Sequence, residues 1–441
     1  MKSKHMKNDE EYNKNIKNYN RLNKNRNNKK RKKSKKSKKG KIIKRIILLI
    51  FIIIIICVAV FAGKVASNGG GLKGFLATLV GQTEETRKSM QEIQVLILGE
   101  SLNLTDTIMI GRYDPNAQKA SLISVQRDTF IGDNPNYATA YDKINSVYQG
   151  KYPENSLKEI NELTGLNLQY YVVVDTEALR ELVDLIGGVE FDVPIDMKYK
   201  DKKQGLYIDL KAGKQVLNGD QAEQLLRFRH NSDGTTYPAS YGTQDTGRMR
   251  TQRNFISALI KQTVTPNNIL KLGEFIDIAN KYVKTNIPID LLKDYIPYAV
   301  EFPIDNLVTD ALPGEAKQLN GVWLYLTDTE EAQKMIAEHF FDCPNEENIN
   351  PEMPTVQILN GTDNPEKLKE VVNKYKEKGY NVLMVGNAEK TAKTTKVTNL
   401  TGKTKDEAKA VRDVISEDAK IVTDKDKDSE VDFKITIGED F

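Results

Sequence analysis

Residues 227–253 read RFRHNSDGTTYPASYGTQDTGRMRTQR and hold five arginines, Arg227, Arg229, Arg248, Arg250 and Arg253, with no lysine. The chain as a whole does the reverse, with 51 Lys against 14 Arg. A guanidinium is planar, permanently charged and presents a fork of donors matched to carboxylate or phosphate oxygens, which an ammonium cannot reproduce. Arginine placed against a lysine background therefore points to recognition of a phosphate-bearing anion. The competing explanation is structural: internal ion pairs to Asp245 or Asp233, or cations at a helix C-terminus.

A second place bears on the same chemistry. LTDT, residues 104–107, puts Asp106 at the mouth of an apolar run, and VQRDT, residues 125–129, puts Arg127 and Asp128 at the end of another. Asp114-Pro115-Asn116 between the runs reads as a turn. A hairpin through it would lay the two ends side by side and bring a carboxylate suited to Mg²⁺ next to a further arginine. Taken with the arginine segment, this reads as a phosphoryl-transfer site. Of the histidines, only His230 is near the cluster, where it reads as a neighbour rather than a base. One histidine supports neither a Ser-His-Asp set nor a zinc site.

The elements that must position these residues have an α/β pattern. IQVLILG, TIMIGRY, ASLISVQ, QYYVVVD and VEFDV are short apolar runs suited to strands. SLKEINELTG and TEALRELVDLIGG between them are patterned as helices, the second ending on glycines. NGDQAEQLLRF opens on an N-cap asparagine and reads as a helix. GRMRTQRNFISALIKQTV is a longer helix, followed by mainly helical sequence to about residue 342. With that helix starting near Gly247 and turning about 100° per residue, Met249, Phe255, Ile256, Leu259 and Ile260 share one arc. Arg248 lies at the edge of the arc and reaches inward, whereas Arg250 and Arg253 face solvent. Arg229 lies over the Ala222, Leu225 and Leu226 face if the preceding helix persists that far, and Arg227 points elsewhere. Inward cations have to meet an anion. The polar loop between the two helices reads as the moving edge of a site.

The net charge of +4 sums two unlike parts. Residues 1–45 carry 20 Lys/Arg against Asp9, Glu10 and Glu11, a surplus of +17, so the remaining 396 residues are acidic at −13. No nucleic-acid-binding face is expected on that acidic part. IILLIFIIIIICVAVFAG, residues 46–63, is an uncharged run long enough for one transmembrane helix, at about 1.5 Å per residue. The basic block before it sets the N-terminus in the cytoplasm and everything after Lys64 outside. A cleaved signal peptide fits less well, because its charged region would be too long. Residues 64–91, with SNGGGLKG, read as a flexible linker. Residues 92–343 form the main domain, PNEENINPEMP is a boundary, and residues 355–441 form a second unit with two strand-helix-strand stretches of the same order. NGT and NLTG fall at matching places in them, as a degenerate repeat would require. Cys57 lies in the apolar run and Cys343 stands alone outside it, so no disulfide is expected.

LTDTIMI, ASLISVQRDTF, YDKINSVY, YYVVVD, DLIGGVEFDVP, LKAGKQVLNGDQAEQLLRFRH and DTGRMRTQRNF follow one another in an order that resembles the LytR–CpsA–Psr family of Gram-positive cell-wall proteins. The resemblance implies a three-layer α/β/α domain with a central mixed sheet and a long apolar cavity, a single membrane anchor, and a small C-terminal α/β domain of the LytR type. It implies transfer of a glycopolymer, such as teichoic acid or capsule, from a polyprenyl-pyrophosphate carrier to a peptidoglycan hydroxyl, forming a phosphodiester. By motif position, Arg127, Arg227, Arg229 and Arg248 would grip the pyrophosphate, Asp245 would hold arginines or position the acceptor, and Asp106 would bind Mg²⁺ (or Mn²⁺). The sequence departs from the pattern at GESLNLTDT, where an earlier Asp is common and Glu100 or Ser101 stands instead; Glu100 is the candidate second metal ligand. A non-catalytic wall-binding or regulatory protein, and a polyprenyl pyrophosphatase at the same site, are the other readings.

Overall fold

The computed structural model describes residues 52–101, 104–202, 205–263, 265–269 and 271–441, with scattered residues between 14 and 25. Most of the basic tail and residues 46–51 of the apolar run therefore lie outside the described residues. The chain divides into two compact units, Met1–Gln82 and Thr83–Phe441.

In the first unit, helices α1 (Ile52–Ser67) and α2 (Gly71–Leu79) meet at a bend of 116°. Among the described residues no single helix is long and apolar enough to cross a membrane, although this bent pair together has the length and composition. The expected flexible linker is not what the structure contains. After the glycine turn the chain re-forms a helix, tied back by Asn68 Nδ2 to Thr78 Oγ1 at 2.9 Å and by an edge-to-face contact of Phe61 with Phe75. The second unit opens with a short helix, Glu84–Ser89, capped by Thr83.

After this helix come β1 (Ile93–Ser101), β2 (Leu104–Asp114) and β3 (Lys119–Val125), three antiparallel strands with the Asp114 turn between the last two. Asp114 Oδ1 accepts from the backbone N–H groups of Asn116 and Ala117, as an Asx turn does. Helix α3 (Pro153–Thr164) leads to β4 (Tyr170–Asp175), which joins β1 in parallel, and α4 (Thr176–Leu185) follows directly on the N-cap Asp175. Two small ladders come next, β5 (Val189–Val193) with β8 (Gly213–Leu217), and β6 (Met197–Asp201) with β7 (Leu206–Leu210). Helices α5 (Gly219–Arg227) and α6 (Gln244–Thr263) carry the arginines.

The stretch expected to be mainly helical to residue 342 also contains β9 (Val283–Thr285), β10 (Leu307–Ala311) and the hairpin β11 (Gly314–Leu319) with β12 (Val322–Thr327), before α7 (Thr329–Phe341). Strand β10 pairs in parallel with β3 and β9 antiparallel with β4, completing a mixed sheet of order β10-β3-β2-β1-β4-β9. The three- to five-residue edge strands are too short, and too exposed, to give the long alternating signature that marks a strand in sequence.

Helices cover both faces of this sheet. Leu96, Leu98, Ile108, Ile110, Ile123 and Val125 pack with Ile160 of α3 and Ile336 and Phe340 of α7. The arginine-bearing side has its own core, in which Val183, Leu225, Phe228, Phe255 and Leu259 meet the two small ladders. The C-terminal α/β domain comprises β13 (Thr355–Asn360), α8 (Glu366–Glu377), β14 (Asn381–Asn387), β15 (Lys396–Asn399), α9 (Lys405–Ile415), β16 (Lys420–Thr423) and β17 (Phe433–Ile437). Its sheet runs β14-β13-β17-β15-β16, with β13·β14 and β15·β16 as parallel pairs and β17 between them. The paired NGT and NLTG motifs have matching bonds: Asn360 Nδ2 donates to Asn364 O and Asn399 Nδ2 to Lys403 O, while each Oδ1 accepts from the following loop. Helix α7 belongs to both domains, burying Ala332, Ile336 and Phe340 on one side and Ala337 in the C-terminal core on the other.

Candidate active site

The site lies at the ends of β1, β2 and β3. The β1–β2 register shifts between Gly99 and Glu100: Gly99 faces Thr107, but Glu100 faces Thr105. Asp106 is thus the extra residue of a β-bulge, a device that re-aims a side chain. A Cβ on Gly99 would come within 2.9 Å of the Thr107 Cβ, so a side chain there would push the strands apart. Because Ile108 pairs with Val125, Asp106 and Arg127 extend the same register. Arg127 Nη1 donates to Asp106 Oδ1 at 2.5 Å, as the hairpin reading requires. Asp128 turns the other way, to Lys143 Nζ at 3.0 Å.

The remaining arginines arrive from α5 and α6. Arg248 is buried at 4% exposure, and its Nη2 lies 2.6 Å from Asp245 Oδ1. Helical phase points it inward, and the structure agrees. Helix α5 ends at Arg227, with Phe228 already extended, so Arg229 reaches the site from an extended segment rather than from the helix face expected for it. Its Nε is 3.2 Å from Asp245 Oδ1. Arg227, which phase alone sends elsewhere, lines the same cavity and is paired with Glu223 at 2.9 Å. Arg250 stays outside, over the Tyr241 ring and bonded to Ser240 O. Arg253 is half-buried, not solvent-facing; burial lowers its pKa against the opposing charge of Asp310.

The loop from Arg229 to Gln244 is held closely rather than loose. Thr236 Oγ1 donates to Arg229 O and accepts from the Gln244 backbone, and Tyr237 is buried between Phe228 and Tyr241. Gly247 in DTGRMR has a packing reason: a Cβ would lie 2.2 Å from Gly242 O and 2.3 Å from the Tyr237 ring.

These residues surround a cavity of about 520 Å³. Arg127, Arg227, Arg229 and Arg248 line it together with Asp106, Glu100 and His230, and Val174, Leu179, Leu182, Leu226, Ile256 and Leu259 supply apolar wall. Burial lowers the Arg127 pKa, but the charges of Asp245 and Asp106 more than reverse this and leave it above the ordinary guanidinium value. At Arg248 burial prevails over Asp245, and the pKa falls. The ion pairs are incomplete. Arg127 Nε, Arg229 Nε, Arg248 Nε and Asp245 Oδ1 are buried without a hydrogen-bond partner, although Asp245 Oδ1 lies at ion-pair distance from Arg229 Nε and Arg248 Nη2. A cluster serving only the fold would satisfy these donors, since an orphaned buried polar group costs about 1–3 kcal/mol.

Glu100 is tied into the wall: its Oε2 accepts from Tyr148 Oη at 2.6 Å and pairs with Lys284 at 3.1 Å, leaving Oε1 for anything bound in the cavity. Burial, then the bond to Glu100, pushes the Tyr148 pKa up, so this phenol remains a donor. Among the described residues no three His, Cys, Asp or Glu side chains group as a metal site. One or two carboxylates fit Mg²⁺ or Mn²⁺ in the arrangement where substrate phosphate oxygens complete the shell. His230 Nδ1 lies 2.8 Å from Asn231 O and its ring meets Tyr199 edge-on. A carbonyl only accepts, so the neutral ring carries its proton on Nδ1 and keeps Nε2 as an acceptor.

Two family models match the chain. The family model LytR_cpsA_psr matches residues 77–340, and a model described as LytR cell envelope-related transcriptional attenuator matches residues 354–441. The regulatory protein MsrR of Staphylococcus aureus (strain COL) is 33% identical over 206 residues, 46% of this chain and 58% of that protein. The chain thus spans little more than half the length of that relative. The polyisoprenyl-teichoic acid–peptidoglycan teichoic acid transferase TagU of Oceanobacillus iheyensis is 26% identical over 263 residues, 57% of this chain and 76% of that protein. The crystal structure of B. subtilis TagV superposes with a TM-score of 0.47 at 22% identity, over 58% of this chain and 99% of that one. Since the first model spans more than half of the sequence, the chain belongs to the LytR–CpsA–Psr family.

Proposed function

We propose that the chain is a membrane-anchored phosphotransferase that moves a glycopolymer of teichoic acid or capsule type from a polyprenyl-pyrophosphate carrier to a hydroxyl of peptidoglycan. The observation that carries this is the cavity itself: four arginines, three of them with an unsatisfied buried Nε, share one chamber with an apolar wall, a match for a diphosphate on a hydrocarbon chain. The TagU relative is named as a transferase of teichoic acid from a polyisoprenyl carrier to peptidoglycan, which supports this reading. The anchor is the apolar run at 46–63, with the basic tail in the cytoplasm and the bulk of the chain outside, where lipid-linked precursors and wall meet.

Arg127, Arg227, Arg229 and Arg248 hold the diphosphate, and Asp245 sets the positions of Arg229 and Arg248. The acceptor hydroxyl attacks the phosphorus that bears the glycan. The new O–P bond forms as the bridging P–O bond breaks, and polyprenyl monophosphate leaves with its charge held by the arginines. Although the sequence reads His230 as a neighbour, its place in the cavity wall with Nδ1 turned to Asn231 O lets Nε2 take the proton of the attacking hydroxyl, which gives the site a base despite the missing early Asp. Asp106, with Glu100 Oε1, would hold Mg²⁺ or Mn²⁺, whose contribution is neutralisation of phosphate charge. Arg227→Ala and Arg248→Ala should each abolish transfer from a lipid-pyrophosphate donor to peptidoglycan while the protein still melts cooperatively; undiminished transfer would remove the arginines from this role.

A regulatory or wall-binding role without transfer is the second reading, favoured by the name of the MsrR relative. It requires the same donor binding but no phosphodiester product.

A further inference from the structure

The strap that begins at Arg127 carries a feature the reaction above does not use. Tyr137 and Tyr141 on it are 82% and 84% exposed, and Trp323 on β12 is 58% exposed, although the neighbouring Leu324 is buried. Trp323 is the only tryptophan in the chain. Among the described residues these three side chains have no hydrogen bond and no ring contact, so each presents an open face to solvent. Open aromatic faces of this size mark contact sites.

The three are mounted on one continuous ledge. Phe130 N–H donates to Tyr325 O at 2.9 Å and Tyr325 N–H to Asp128 O at 2.8 Å, so the strap and the β11–β12 hairpin are stitched together directly after Arg127. Asn320 Nδ2 at the hairpin tip donates to Asn136 O, which seats the tip beside the turn bearing Tyr137. Ile131 N–H to Asp142 O, Ile144 N–H to Thr129 O and Asn145 N–H to Arg127 O fold the Tyr141 segment back to the arginine. The ledge is preorganised, which lowers the cost of binding.

Its charge selects the occupant. Residues 131–142, IGDNPNYATAYD, contain Asp133 and Asp142 and no lysine or arginine. Lys143 is engaged by Asp128, and Lys317 by Glu315. An anionic polymer or an anionic membrane surface would be repelled. Flat rings among amides and hydroxyls, without positive charge, suit the C–H faces and hydroxyls of a glycan that carries no phosphate.

We propose that Tyr137, Tyr141 and Trp323 form a docking ledge for the acceptor glycan strand, leading it to the Arg127 end of the cavity. This rests on the transferase reading and deepens it by giving the acceptor its own surface, separate from the donor's.

The lone tryptophan makes the test direct. Full-length protein in detergent is titrated with soluble glycan strands of alternating N-acetylglucosamine and N-acetylmuramic acid, free of teichoic acid. The emission of Trp323 should shift and its quenching by acrylamide should fall. The double variant Tyr137→Ala/Tyr141→Ala should weaken this response roughly tenfold or more, as truncation of aromatic anchors does. Binding of a short prenyl pyrophosphate should be unchanged in that variant. No spectral response at saturating strand concentration overturns the ledge, as does a response to phosphatidylglycerol vesicles or to free teichoic acid in place of the strands. A response to the strands in a protein that performs no transfer would leave the ledge standing and remove only the transferase reading.

Discussion

Arg248→Lys separates the two explanations for the arginine cluster. If Arg248 exists to neutralise Asp245, lysine keeps the charge and nearly all of the function. If its guanidinium grips a diphosphate, lysine loses the fork. Arg248 Nη2 faces Asp245 at 2.6 Å, while Nε is buried with no acceptor, so ligand bonds are the ones at stake. One charged hydrogen bond is worth about 1.5–3 kcal/mol, which corresponds to roughly 10- to 150-fold in Kd. Arg248→Ala is a different perturbation. It leaves the partly buried Asp245 carboxylate with Arg229 at 3.2 Å, and breaking a buried pair costs about 3–5 kcal/mol of stability. Calorimetric titration with a short prenyl pyrophosphate, alongside thermal unfolding of the same samples, reads both effects. The lysine variant should melt near wild type and bind at least tenfold more weakly, whereas the alanine variant should lose both. A lysine variant that binds like wild type would refute the phosphate argument and leave an ion pair.

Four further outcomes follow from the geometry. His230→Gln should lower transfer by about 10²- to 10⁴-fold with donor affinity unchanged, and nitrogen NMR of the wild-type imidazole should place the neutral-state proton on Nδ1; an unaltered rate removes the base. Gly247→Ala should destabilise the protein by about 1–3 kcal/mol or more in denaturant unfolding, because its Cβ would meet Gly242 O and Tyr237. The bonds and charge of Arg112 hold the Asp342 carboxyl down to about 2, against a usual value of 3.8, so its stabilisation is complete above about pH 4 and is lost as pH falls through 2. Acid unfolding of Asp342→Asn should therefore differ from wild type at pH 5 and converge with it near pH 2. Burial pushes the Cys343 thiol up to about 12, so in a Cys57→Ser background iodoacetamide should label the folded protein at pH 8 only after denaturant is added.

The parts of the site set by local pattern were legible in the sequence. Apolar runs and a turn triplet were enough to place Asp106 against Arg127, because hairpin register is fixed once both strands and the turn are known. Helical phase placed Arg248, because α6 is long and its neighbours Phe255 and Leu259 mark the buried side. Phase failed for Arg229 and Arg227, since α5 stops at Arg227 and tertiary packing of the extended segment, not helix geometry, decides where they go. The early carboxylate question turned on a bulge. Nothing in GESLNLTDT announces that Asp106 is the extra residue or that Tyr148 and Lys284, 48 and 184 residues away, claim Glu100. Strands β9 and β10 were missed for a related reason: short edge strands owe their state to the partner they pair with. Helix α2 went unread because SNGGG looks like a linker, while the helix it precedes is anchored by contacts with α1 that the sequence pattern does not display.

The most direct measurement is the fate of phosphorus when the full-length protein, in detergent with Mg²⁺, meets a polyprenyl-pyrophosphate-linked glycopolymer and teichoic-acid-free peptidoglycan. The polymer should become bound to the wall through a phosphodiester, with one polyprenyl monophosphate released for each chain attached, and both should fall by about tenfold or more in Arg248→Lys at donor concentrations below saturation. Donor that is bound but never consumed, or polyprenyl phosphate released at the same rate with and without peptidoglycan, would contradict the transferase reading.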